Sequence, residues 1–199
     1  MSTRAMKSLL AELGREAAKS IARPAEPRAV MEEFCRAMSV RVGRPIQLLF
    51  RAFPPDIPVS GMRVDYGDRS LIVVEECTVP EAQLVIFGHE LWHEEQGTCG
   101  DHAIGPAAAR ALGGPPGALA RAAQQVLASE EGPREVCRAV TARSASADHH
   151  EVDAETFGLL FAREVRTWMK GRYAQGPVTP ATVEGRINLS LGHRGGRIL

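Results

Sequence analysis

Apolar positions along the chain change period several times, and each change marks an element. From Ser8 to Ile21, Leu9, Leu10, Leu13, Ala17 and Ile21 fall on one helical stripe. Arg23-Pro24-Ala25-Glu26-Pro27 breaks it, because proline fixes φ and lacks a donor. That first helix either docks elsewhere as an arm or packs on the body. A second helix is predicted from Ala29 to about Val40, with Val30, Met31, Phe34 and Met38 inward.

The period then shortens to two. Pro45-Ile46-Gln47-Leu48-Leu49-Phe50 reads as a strand closed off by Pro54-Pro55. Met62 to Tyr66 alternates, Gly67-Asp68 supplies a two-residue turn, and Ser70 to Val74 returns, which is a hairpin pattern with glycine where φ > 0 is needed. Directly afterwards a helix starts. Thr78 is placed to cap it, Glu81 to reach back, and Pro80 to occupy the first turn, with Gly97 as its end. Ala82, Leu84, Val85, Ile86, Phe87, Leu91 and Trp92 make this helix apolar on most sides, which predicts a central position.

Beyond it, Thr98 to about Gly117 reads as a Gly-, Pro- and Ala-rich loop or loosely helical insertion. Leu119 to Leu127 and Arg134 to Arg143 read as two short helices. Ser144 to Asp148 forms a linker with capping chemistry at its end, and a long helix is expected from about His149 to Gly171. The tail from Pro177 carries Arg186, Arg194 and Arg197 among glycines. The expected organisation is an N-terminal helical arm over 1–28, one domain over 29–175 with 98–147 as an insertion or helical loop region, and a tail over 176–199.

The central helix carries the chemistry. His89 and His93 lie four residues apart and so on one face, from which both can turn an imidazole nitrogen toward a single point. Glu90 sits at the edge of that face. This is the His-Glu-x-x-His arrangement, in which the histidines bind Zn²⁺ and the glutamate acts as general base. Three fixed residue types make a weak motif alone; its place in a mainly apolar helix after a hairpin gives it weight. The bland alternative is a surface helix with ordinary His–Glu contacts.

A catalytic site needs a third ligand. Glu151 is the candidate, because Ala154, Gly158 and Ala162 continue from it as a lane of small residues that lets two helix backbones approach closely. Phe157, Leu160, Phe161, Val165 and Trp168 would form the buried flank. Glu155, one turn further on, is the fallback ligand; His149 and His150 are rivals by chemistry but sit at the helix start, where solvent is expected.

Composition narrows the function classes. Lys+Arg 24 against Asp+Glu 24 gives a net charge of +0, which argues against a phosphate backbone as the main ligand. Direct nucleic-acid binding is therefore not expected. Cys35, Cys77, Cys99 and Cys137 form no C-x-x-C pair and are expected as free buried thiols. With no signal-type h-region and no apolar run of membrane-spanning length, the expected location is the cytoplasm, without membrane association.

With these pieces named, the chain resembles the ImmA/IrrE family of metallopeptidases. The resemblance runs through a helix ending near Val42, the hairpin Gly61 to Glu75, the His89-Glu90-Leu91-Trp92-His93 helix and Glu-x-x-Ala-x-x-Phe-Gly at Glu151 to Gly158. It implies that His89, His93 and Glu151 bind zinc and that Glu90 is the catalytic base. It also implies an α+β, zincin-like fold with a small antiparallel sheet packed against the motif helix and further helices. The activity implied is that of a zinc endopeptidase, an intracellular regulatory protease cutting a protein or peptide partner such as a helix-turn-helix repressor. The alternative is a catalytically weak or inactive partner-binding protein, of toxin-system type, with a structural zinc. Trp92 stands where the family commonly has glycine, and the separation from His93 to Glu151 (151 − 93 = 58 residues) is long.

Overall fold

The structure, a computed structural model, describes residues 2–53, 60–97, 139–142 and 149–170. It is α+β. Helix α1 (Thr3–Ala17) is followed by α2 (Pro27–Val42), β1 (Ile46–Arg51), β2 (Gly61–Asp65), β3 (Ser70–Glu75) and α3 (Pro80–Gln96). Next come β4 (Ala139–Ala142) and α4 (His149–Val165), which ends in a 3-10 turn, Arg166–Trp168.

The apolar stripes do what their spacing predicts. Leu9, Leu10, Leu13 and Ala17 of α1 and Val30, Met31, Phe34 and Met38 of α2 are all buried in one core. Helix α1 thus packs on the body. Ile21 lies past the end of α1 and is only partly buried against the core. Phe157, Phe161, Val165 and Trp168 of α4 join that core, where Phe34 meets Phe161 edge-on at 5.0 Å.

The sheet is mixed, not antiparallel as expected. Its order is β1-β3-β2-β4, with β1 parallel to β3 and β2 antiparallel to both β3 and β4. Chain direction reverses between β1 and β2 and again at the hairpin, so β1 and β3 run the same way and lie side by side. The hairpin turn is as read: Gly67 has φ 92°, and the Tyr66 N–H donates to the Arg69 carbonyl at 2.9 Å.

Three further expectations are corrected. Residues 139–142, read as part of a helix, are the strand β4, because Ala-Val-Thr-Ala finds the open edge of β2 and pairs there from Met62↔Ala142 to Asp65↔Ala139. Helix α3 is not capped by Thr78. Pro80 takes the first helical position, so the cap falls on Val79, which has no side-chain donor or acceptor to offer. Gln83 Nε2 instead donates to the Glu75 and Glu76 carbonyls at 3.0 and 3.2 Å and secures the entry to the helix. Helix α4 stops at Val165, before Gly171, since the backbone turns extended to pair with Ala25 through the Ala25 N–H to Trp168 carbonyl bond (2.8 Å) and the Lys170 N–H to Ala25 carbonyl bond (3.0 Å). The readings for Pro54-Pro55, Thr98 to Gly117, Leu119 to Leu127, most of Arg134 to Arg143, Ser144 to Asp148 and the tail lie outside the described residues. No helix among the described residues is long and apolar enough to cross a membrane.

Candidate metal centre

Two helices and one strand build the site. Helices α3 and α4 approach so closely that glycine faces glycine: a Cβ on Gly88 would lie 2.9 Å from the Gly158 Cα, and one on Gly158 would lie 2.5 Å from the Val85 carbonyl oxygen. The lane of small residues at Ala154 and Gly158 serves this contact, as its spacing implied. On the other side of α3, a Cβ on Gly61 of β2 would lie 2.9 Å from Glu90 Oε1, so the strand passes directly over the motif glutamate.

This clamp brings three donors together. The Nε2 atoms of His89 and His93 are 3.0 Å apart. Glu151 places Oε2 at 3.4 Å from His89 Nε2 and Oε1 at 3.4 Å from His93 Nε2. Zn²⁺ with arms of about 2.0–2.2 Å at tetrahedral angles requires donors about 3.3–3.5 Å apart. The Nε2 pair and the contact that each imidazole makes with its own Glu151 oxygen lie near that length, and two imidazoles with one carboxylate are a donor set that zinc takes readily. One ligand atom from each of His89, His93 and Glu151 fits within 4.8 Å of the others, so the three could hold a metal ion.

The environment favours an ionised carboxylate. Burial by itself would raise the Glu151 carboxyl, but the contacts and charge of His89 and His93 outweigh it and hold it down at about 2. His89 and Glu90 are fully buried, and His93 is 4% exposed. The Glu151 side chain, at 16%, is the most accessible of the three donors.

Glu155 does not join the donors. The fallback ligand's Oε1 lies 3.9 Å from His89 Nδ1, the nitrogen that faces away from the convergence point, and the group that could hold a metal is His89, His93 and Glu151. His150 is exposed, as its place at the helix start implied. Trp92 finds room in the core: it is 2% exposed, with its ring 5.0 Å from Phe157. Of the thiols, Cys35 is buried and free, whereas Cys77 is free but exposed, contrary to expectation; Cys99 and Cys137 lie outside the described residues.

The sequence reading missed a buried charge cluster beside the site. Glu94, next to His93, takes up the Arg63 Nε, the Ser70 hydroxyl at 3.0 Å and Arg44 Nη2 at 2.6 Å. Arg44 and Arg63 also donate to Asp65, at 2.9–3.0 Å and 2.9 Å. Two guanidinium groups thus meet two carboxylates, tying the end of α3 to β2 and to the turn before β1. The available signal was the charge of Glu94 within a helix read as central.

Strand β3 is paired on both sides and β2 is covered by β4, so the sheet edges among the described residues are β1 and β4. No protein-family model matches the chain, and neither a curated protein nor a solved structure does.

Proposed function

We propose that the chain is a metal-dependent hydrolase and, within that class, a zinc endopeptidase. The convergence of His89 Nε2, His93 Nε2 and the Glu151 carboxylate carries the reading. Zinc held by these three supplies Lewis acidity, which polarises a carbonyl and makes water acidic near neutral pH. Glu90 then accepts a proton from the attacking water at its carboxylate and returns it to the nitrogen of the leaving amine. The Gly61 backbone leaves the space that the Glu90 carboxylate fills. The substrate we propose is a protein partner in the cytoplasm, such as a helix-turn-helix repressor. A zincin-type fold and kinship with ImmA/IrrE proteins belong to the same proposal.

A second reading has an observation in its favour. Full burial of His89 and Glu90 suits a structural zinc in a partner-binding regulatory protein. Metal analysis with a cleavage assay separates the two. Glu90→Gln should keep stoichiometric zinc and lose cleavage of a co-expressed helix-turn-helix partner protein, whereas Glu151→Ala should lose zinc. A wild-type protein that binds both zinc and partner yet never cuts would establish the structural reading. Full zinc loading of Glu151→Ala would remove the carboxylate from the centre.

A further inference from the structure

We infer that Glu155 is a positioning residue for the metal centre, accepting a hydrogen bond from His89 Nδ1; this rests on the reading that His89, His93 and Glu151 hold zinc. A ring that gives its Nε2 lone pair to a cation keeps its proton on Nδ1. His89 is fully buried, and its Nδ1 makes no hydrogen bond among the described residues. A buried donor left so is destabilising, because it has given up its bond to water. A carboxylate oxygen, Glu155 Oε1, stands 3.9 Å away.

Helix geometry explains why it is there. Glu155 follows Glu151 by four residues on α4, so the two carboxylates rise from one face. Glu151 meets the Nε2 edge of the His89 ring while Glu155 meets the Nδ1 edge. The Glu155 side chain is 39% exposed, and a swing of about 1 Å brings its oxygen to the usual 2.7–2.9 Å of a charge-assisted bond. That bond fixes the ring's tautomer and plane and raises the basicity of Nε2. Removing such a partner typically weakens metal binding about 10–100-fold.

Zinc affinity by competition with a chromophoric chelator tests this on the full chain. Glu155→Ala should bind zinc about 10–100-fold more weakly, and Glu155→Gln, which retains a neutral acceptor, should fall between it and wild type. Both should keep the wild-type melting temperature without metal and the tetrahedral visible spectrum of the cobalt-loaded protein, because the donor set is unchanged. Affinity of Glu155→Ala within twofold of wild type would overturn the inference, as would loss of the cobalt spectrum, which would make Glu155 a ligand. Glu151→Ala run alongside keeps the two levels apart. If it loses zinc while Glu155→Ala does not, only the positioning role fails; if it keeps zinc, the metal centre itself fails.

Discussion

Gly158 is where helix packing and metal chemistry meet, and replacing it with alanine puts numbers on the link. In a free helix the change is favourable by about 1 kcal/mol, since glycine has more backbone freedom to lose. Here the new Cβ would stand 2.5 Å from the Val85 carbonyl oxygen and 3.2 Å from the His89 nitrogen. An ordinary carbon–oxygen contact is about 3.3 Å or longer, so α3 and α4 must separate by roughly 0.8 Å. Both obstructing atoms are backbone, which leaves no flexible side chain to give way. Overpacking of this kind costs about 1–3 kcal/mol, occasionally more. With backbone on both sides the upper end applies, for a net destabilisation of about 2 kcal/mol and a fall in Tm of about 4–8 °C.

The same displacement reaches the donors. Glu151 lies seven residues up the helix (158 − 151), about 10 Å at 1.5 Å per residue. A shift of roughly 0.8 Å exceeds the ±0.2 Å or so within which zinc distances hold, so zinc affinity should drop about tenfold or more. Thermal unfolding of the metal-free protein and chelator competition measure the two effects. Gly43→Ala is the control: φ of +72° makes it strained, but a Cβ there meets nothing within 4 Å. It should lose about 1–2 kcal/mol of stability and no zinc affinity. If Gly158→Ala proved as stable as wild type and bound zinc equally, the close approach of the two helices would be refuted.

The buried charge cluster and the buried thiol give two more expectations. Arg63→Met should destabilise the chain by about 3–5 kcal/mol, read as a lower urea midpoint, because Arg63 is 1% exposed and Glu94 fully buried; an unchanged midpoint would mean that Arg44 and Ser70 suffice for Glu94. Burial pushes the Cys35 thiol up to about 12, from an ordinary thiol value of 9.0. The unfolded thiol ionises first, so that contribution is whole below about pH 9 and shrinks by about 1.4 kcal/mol per pH unit as pH rises toward 12. Urea titrations at pH 9 and 10 should show this slope in wild type and a shallower one in Cys35→Ala, and iodoacetamide at pH 8 should modify Cys77 while sparing Cys35.

Much of the donor set was legible because it depends on local periodicity. The spacing of His89 and His93 sets their shared face, and Ala154 and Gly158 announce a close helix contact before any partner is known. What periodicity could not supply was the facing of β2. Alternation from Met62 to Tyr66 invites the reading that Met62 and Val64 face the core below α3 while Arg63 and Asp65 face water. Instead Gly61 and Arg63 lie toward α3, shown by the contacts with Glu90 and Glu94, and every residue of β2 is buried. A strand buried on both faces carries its charges inward only when a partner such as Glu94 waits there, and that partner is 31 residues away in sequence. Parallel pairing of β1 was illegible for the same reason, since nothing local to either strand encodes it.

The long gap between His93 and Glu151 looked like the weakest point of the site, and β4 removes the difficulty. Doubling a loop costs only about 0.6 kcal/mol in closure entropy, so length alone was never a strong objection. What matters is where the chain returns. It returns on β2, pairing until Ala142 stands opposite Met62, one residue from the Gly61 that lies over Glu90. Only 143–148 then separate this anchored point from the start of α4 at His149, with Glu151 in its first turn. The excursion thus has an anchor on the sheet, with six residues between it and the start of α4. Helix α3 is held between strand and helix by Gly61 on one side and Gly158 on the other.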